Sequence, residues 1–332
     1  MGWRAALIGC GKIGSEFADD PRAKGIQSHA QAYAASPQME LTGVCDADPA
    51  KAQACGARWK VKNTYTDPAR LLAEQRPQIV SICTPDATHF AIARQVLNSP
   101  GVAGILLEKP LAMTLEEASQ LVQLAREKNV KLAINYSRRY AASHRQLRQF
   151  IQSGQLGAIQ NIHGSYTKGL LHNGTHWFDL VRFLIGEVKT VWGQDQLGEK
   201  SPDPTLDARL ELARGATAYL QGCDATAFTV FEYVITGTRG RVRVSNGGDT
   251  FEFFTVADDP NFSGYRILQP VAGFSGGLGD ALPNAVADLI AAVKENRPPA
   301  CSGEDGLAAL RLGLAVREAA VSGCIINMGS HQ

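Results

Sequence analysis

Gly9-Cys10-Gly11-Lys12-Ile13-Gly14 is the stretch that decides the fold, because it comes directly after the apolar run Ala5–Ile8 and has the spacing G-x-G-x-x-G. After a strand, glycines so placed allow a tight turn, a close approach of backbone to a pyrophosphate, and close packing of the next helix on the strand. The phosphates are then held by N–H groups at a helix N-terminus. The next apolar run, Leu41–Cys45, ends at Asp46, where a carboxylate can accept hydrogen bonds from an adenosine ribose. Gly9, Gly11, Lys12, Ile13, Gly14 and Asp46 are therefore the expected dinucleotide contacts. A carboxylate at Asp46 repels a 2′-phosphate, and Ala47 and Asp48 bring no cation to welcome one, so NAD is expected in preference to NADP. Asp46 lies beyond the usual spacing of about 20 residues from the glycines. An insertion over Asp19–Gly25, ahead of the helical stretch His29–Ala35, accounts for the excess.

Outward from this motif, short apolar runs alternate with amphipathic helices, the pattern of a parallel sheet wound with helices on both faces. Ile79–Cys83, Ile105–Leu107 and Lys131–Ile134 read as further strands. Asp48-Pro49 and Asp67-Pro68 each place a capping acceptor before a proline at the first helical position. In Leu115–Lys128, Thr114 and Glu117 make a capping box, and Ala118, Leu121, Val122 and Ala125 recur on one face. From Ile159 onward the texture changes to β-branched and aromatic runs without intervening helices, as in Thr217–Leu220, Thr229–Ile235, Arg241–Val244 and Phe251–Val256. That predicts an antiparallel sheet, closed by helices over Leu282–Glu295 and Gly306–Ala320. The Gly-rich stretch Gly264–Gly279 reads as a loop, either beside a site or simply on the surface. The fold class is α/β, with a doubly wound Rossmann domain over residues 1–135 and a second α/β domain over 136–332.

With 332 residues, 45% hydrophobic and 20% charged, the chain can bury two cores. A net charge of +1 without basic runs gives no footprint for nucleic acid or an anionic membrane surface. No run approaches the roughly 20 apolar residues of a membrane span, and the apolar start is too short for a signal peptide. The seven cysteines are scattered, without the paired spacing of a zinc or redox motif, as in a reduced, cytoplasmic protein. His172 and His176 have helical i, i+4 spacing, but Gly174 between them argues for a loop, and no metal is expected.

Glu108-Lys109-Pro110 follows the predicted strand Ile105–Leu107, and Thr84-Pro85, with His89 four residues beyond Pro85, follows the predicted strand Ile79–Cys83. Ligands of open parallel sheets bind outside the carboxyl ends of the strands, which places Lys109 where cofactor ring and substrate meet. Thr84 and Pro85 are expected to shape the nicotinamide pocket with Glu108 and Lys109, while His89 is as well suited to capping or packing as to touching cofactor. These motifs, with Arg139-Tyr140, Gly154-Gln155-Leu156-Gly157, Gly174-Thr175-His176…Asp179 and Ser302-Gly303-Glu304-Asp305-Gly306, resemble the GFO/IDH/MocA oxidoreductase family in order and spacing over nearly the whole chain.

The resemblance implies a second domain with a large, mostly antiparallel open sheet, often used to form homodimers or homotetramers, and a sugar or polyol substrate bound between the domains. It further implies that Lys109 and His176 flank the reacting carbon. The chemistry fits: a histidine can take the hydroxyl proton as hydride leaves the carbinol carbon, and an ammonium can stabilise the developing alkoxide. One departure stands out. Members commonly carry aspartate four residues before this histidine, and His172 stands there instead. Lys168 and His172 lie close to His176 in sequence and Arg139 follows the last Rossmann strand; with Asp179 these are the expected substrate set, and its cations suggest an acidic, phosphorylated or nucleotide-linked sugar. His172 is equally a surface residue, Arg139 equally a solvated helix-start arginine, and Asp179 is more simply structural. Two alternative functions remain: a redox-neutral NAD-dependent glycosidase, and a non-catalytic dinucleotide-binding regulator.

Overall fold

The computed structural model describes residues 2–329. Its first sheet is built from runs that bury both faces. The strands are β1 (Trp3–Ile8), β2 (Met39–Cys45), β3 (Thr64–Tyr65), β4 (Ile79–Ile82), β5 (Gly104–Leu107) and β6 (Lys131–Ile134). All pair in parallel, in the order β3-β2-β1-β4-β5-β6. Every residue of β4 and β5 is buried, as expected of a parallel sheet covered on both sides. The intervening helices are α1 (His29–Ala35), α2 (Pro49–Trp59), α3 (Pro68–Gln75), α4 (His89–Leu97), α5 (Leu115–Glu127) and α6 (Ser137–Tyr140). Asp48 and Asp67 cap α2 and α3 by accepting from Ala50 and Ala69 N–H at 2.9 and 2.8 Å. Thr114 caps α5, whose buried residues are Ala118, Leu121, Val122 and Ala125. The strand order reverses between β1 and β4, which opens a crevice at their carboxyl ends.

This first compact unit runs to Ala141 and resumes over Gly279–Leu310. The returning segment brings the helix Ala281–Glu295 against α1 and β5, and Ile134 N–H donates to the Cys301 carbonyl at 3.0 Å. A boundary at 135 lies close to the first break but omits this return. Local periodicity identifies the late helix; it carries no information about which sheet the helix covers.

The second unit comprises Ala142–Leu278 and the chain from Arg311 onward. It contains α7 (Ala142–Gln152), β7 (Ile159–Tyr166), α8 (Thr175–Leu184), β8 (Val188–Gln194), β9 (Asp207–Leu212), β10 (Thr217–Gly222), β11 (Phe231–Gly237), β12 (Gly240–Ser245), β13 (Thr250–Asp258), β14 (Arg266–Val271) and β15 (Ile326–Asn327). These nine strands form one sheet in the order β14-β13-β12-β11-β7-β10-β9-β8-β15, antiparallel except for β7 with β10. Burial alternates along β11, with Phe231, Tyr233 and Ile235 facing a core that includes Tyr166, Trp177, Phe178 and Leu210.

The expected loop over 264–279 requires correction. Arg266–Val271 is a strand paired with β13, and the irregular part begins only after Val271. As the edge of the sheet it has partners on one side only, so Pro270, which lacks an N–H, is tolerated and the alternation of burial is weak.

Candidate active site

The fingerprint turn depends on two glycines that nothing larger can replace. Gly9 has φ +98°, and a Cβ there would lie 2.5 Å from the Cys83 backbone; a Cβ on Gly14 would lie 2.1 Å from the Gly9 carbonyl oxygen. Gly11 differs: a Cβ on it would meet nothing within 4 Å, so the backbone borders open space there. Ser15 and Phe17 N–H donate to the Gly11 and Lys12 carbonyls, both at 2.9 Å. The chain then departs on an excursion and returns at α1, where His29 and Ala30 N–H donate to the carbonyls of Ile13 and Gly14, both at 3.0 Å. The helix is thus continued across the gap, and the insertion that lengthens the spacing to Asp46 is a branch from it. Arg58 and Trp59 of α2 pin its start: Arg58 Nη1 and Trp59 Nε1 donate to Ser15 Oγ at 2.8 and 2.9 Å, and Arg58 also pairs with Asp19. Ile26 N–H anchors its end on the Gly279 carbonyl.

Asp46 joins the end of β2 to this turn. Its Oδ2 accepts from Cys10 N–H at 2.8 Å and its Oδ1 from Asp48 N–H at 3.0 Å. A carboxylate offers about four acceptor positions, so two stay available to a ribose diol. Open space at Gly11, a helix start and an acid at the end of β2 fit a dinucleotide. Lys12 is exposed and Ile13 is half-buried beside the small core of Leu7, Cys10, Ala30 and Val44.

The ends of β4 and β5 are locked by two buried histidines. His89 spans them, with Nδ1 2.6 Å from the Pro110 carbonyl oxygen and Nε2 2.9 Å from that of Thr84. Both ring nitrogens are thereby occupied by backbone of the same unit. Lys109 is half-buried and precedes Pro110 through a cis peptide bond. Pro85 is exposed, and Thr88 Oγ1 lies 2.7 Å from its carbonyl oxygen. Glu108 is 7% exposed, with Oε1 2.6 Å from Asn135 Nδ2 and 3.0 Å from His29 Nε2. Burial pushes this carboxyl up, but the His29 hydrogen bond and charge, the Lys109 ammonium and the Asn135 amide outweigh it, leaving the group below its ordinary value. Beyond His29, Nδ1 is 2.8 Å from Ser81 Oγ, which is 2.6 Å from the Tyr33 hydroxyl. Nothing in the sequence marks His29 as special, since its partner is 79 residues away.

In the second unit, Lys168, exposed with φ +70°, leads into a wide turn over Leu170–Gly174, closed by Gly174 N–H donating to the Gly169 carbonyl at 3.0 Å. The turn runs straight into α8. The expected loop around Gly174 is thus helical, and Gly174 is buried within it. His172 is exposed; His176 is half-buried, its ring edge-on to Phe231 at 6.3 Å; Asp179 is 1% exposed. Asp203, which no sequence motif points to, holds the turn by accepting from Leu171 and His172 N–H, each at 2.8 Å, and it pairs with Arg317 at 3.2 Å. Arg139 is not solvated: it is buried, and its guanidinium pairs with Asp305 at 3.0 Å within the first unit. Among the described residues, no group of three or more His, Cys, Asp or Glu is arranged to hold a metal ion.

Residues 3–136 match an oxidoreductase family with an NAD-binding Rossmann fold, and residues 168–328 match the C-terminal alpha/beta domain of the same family. The chain belongs to the GFO/IDH/MocA oxidoreductase family. It is an NAD-binding oxidoreductase. Its similarity to inositol 2-dehydrogenase of Rhizobium meliloti is 25% identity over 340 residues, spanning 96% of this chain and 97% of that protein. D-glucoside 3-dehydrogenase of Escherichia coli is 30% identical over 156 residues, 47% of this chain and 41% of that protein. The solved structure of levoglucosan dehydrogenase with NADH and levoglucosan has the same fold, with TM-score 0.83 at 20% identity over 99% of this chain and all of that one.

Proposed function

We propose that this enzyme transfers a hydride between NAD(H) and a carbinol carbon of a sugar or polyol, with Lys109 and His176 acting on the substrate. The observation that carries the reading is the turn bearing Lys109. It stands at the carboxyl end of β5, one strand from the switch point, and two buried histidines brace it. Similarity to inositol 2-dehydrogenase along nearly the whole chain supports the substrate class. Gly11 and its neighbouring amides would receive the pyrophosphate and Asp46 the ribose. The bound nicotinamide supplies the hydride acceptor. His176 takes the hydroxyl proton while the C–H bond gives up its electron pair, and the Lys109 ammonium faces the oxygen that becomes a carbonyl. Lys168 and His172, both exposed on one turn, favour a substrate bearing an anionic group.

Seven free cysteines among the described residues suit a reducing cytoplasm. The outward face of the nine-stranded sheet, where His163 stacks on Tyr219 at 5.1 Å, suits a homodimer or homotetramer, which sedimentation would test. The decisive assay monitors NADH absorbance with NAD and with NADP against free sugars, inositols, sugar acids and nucleotide-linked sugars. NADH formation that falls about 100-fold or more in Lys109→Ala, with NAD still bound, is the expected result. Undiminished turnover in that variant overturns the assignment.

A further inference from the structure

His29 is the first residue of α1 and is fully buried. Its backbone N–H closes onto Ile13 in the fingerprint turn, while its ring lies between Ser81 of β4 and Glu108 at the end of β5. One assignment of protons satisfies the whole chain of contacts. Tyr33 O–H donates to Ser81 Oγ, Ser81 O–H to His29 Nδ1, and His29 Nε2–H to the Glu108 carboxylate, which also receives an N–H from Asn135. Each donor points toward Glu108, so the polarisation of each bond strengthens the next. In this assignment the ring meets both of its partners, and the donors run toward the carboxylate. That carboxylate is one residue from Lys109.

The groups facing the Glu108 carboxylate are His29 from α1, Lys109 on its own turn, the Cys83 thiol after β4 and the Asn135 amide after β6. Lys109 is the one cation among them when His29 is neutral. Without His29 the carboxylate would lose one of its two side-chain N–H donors in a site 7% exposed, and it would move or take up a proton. Either response displaces the turn that carries Lys109 or removes the anion behind its ammonium.

We propose that His29 is a positioning residue which, through Glu108, fixes the Lys109 turn in register with the fingerprint turn and keeps a negative charge behind the lysine. This role deepens the proposed function and rests on Lys109 facing the substrate. A histidine suits the place because its two ring nitrogens, on opposite edges of one rigid ring, meet Ser81 and Glu108 together.

The test uses the full chain with NAD, once a turned-over substrate is known, and four variants: His29→Leu, His29→Gln, Glu108→Gln and Lys109→Ala. His29→Leu should lower kcat roughly 10- to 100-fold with NAD affinity little changed, since the backbone N–H to Ile13 survives. His29→Gln, which can still donate to Glu108, should recover part of that loss. Glu108→Gln keeps the shape but not the charge, and should move the alkaline limb of kcat to lower pH by about one unit. A purely structural role would lower the melting temperature and leave that limb in place. Wild-type kcat in His29→Leu, or an unmoved alkaline limb in Glu108→Gln, overturns the inference if Lys109→Ala is inactive. An active Lys109→Ala overturns the reading of Lys109 instead. Should His29→Leu fail to fold, the near-isosteric Glu108→Gln still decides.

Discussion

Replacing Gly11 and Gly14 separately by alanine should divide the fingerprint into a part that builds the fold and a part that binds. A Cβ on Gly14 would sit 2.1 Å from the Gly9 carbonyl oxygen, so turn and strand must separate by about an ångström before a normal contact of roughly 3 Å is restored. Overpacking of that kind costs about 1–3 kcal/mol. At about 2–4 °C per kcal/mol for domains of this size, Gly14→Ala should melt several degrees below the parent without any ligand. A Cβ on Gly11 meets nothing, and Gly11 is not among the residues with positive φ, so Gly11→Ala should melt at the parent temperature or slightly above, by up to about 1 kcal/mol. Its methyl would occupy the space into which the amides of the turn open. NAD at 100 times its dissociation constant stabilises the parent by about 2.7 kcal/mol, and Gly11→Ala should forfeit most of that shift. Thermal melts with and without NAD read both effects. A parent-like NAD shift in Gly11→Ala, or a parent-like melting temperature in Gly14→Ala, would refute the placement of the pyrophosphate or the packing argument respectively.

Asp46→Ala removes an acceptor shared by Cys10 and Asp48 N–H; NAD affinity should fall about 10-fold or more, and the preference over NADP should narrow, as fluorescence titration would measure. Glu108 has a folded-state value below its ordinary one, so its stabilisation is present above the unfolded value near 4.3 and disappears as pH falls through the folded value. Melting temperatures of Glu108→Gln should therefore lie below the parent at neutral pH and converge with it in acid. Asp203→Ala uncovers Leu171 and His172 N–H and frees Arg317; a loss of about 1–2 kcal/mol is expected, with faster hydrogen exchange over 170–174 and a lower kcat.

What sequence reveals here is whatever a few consecutive residues decide. The glycines of the fingerprint, the caps at Asp48, Asp67 and Thr114, and the strand-end motif around Lys109 are local, and the structure has them where their spacing places them. The bracing of those motifs depends on distant residues. Glu108 meets His29 across 79 positions, Asp203 meets His172 across 31, and Arg139 reaches Ala300 across 161. No periodicity announces such partners. Gly174 misleads for a different reason: glycine lowers helix propensity, but this one is buried in a wide turn stabilised by Asp203 and by its continuation into α8. The edge strand Arg266–Val271 escapes because one-sided pairing leaves a strand without clear alternation.

The two hydrogen bonds that carry the helix from Ile13 and Gly14 to His29 and Ala30 also make the intervening segment a port. Its length does not enter the geometry of the amides at Gly11, because both of its ends are fixed independently, by Arg58 and Trp59 at one and by Gly279 at the other. Lengthening such a loop is cheap, about 0.6 kcal/mol for each doubling. Between Asp20 and Gly25, where every residue is exposed, the chain therefore offers a place to graft a fluorophore or a whole reporter domain a few residues from the dinucleotide loop, without disturbing the helix that shapes it.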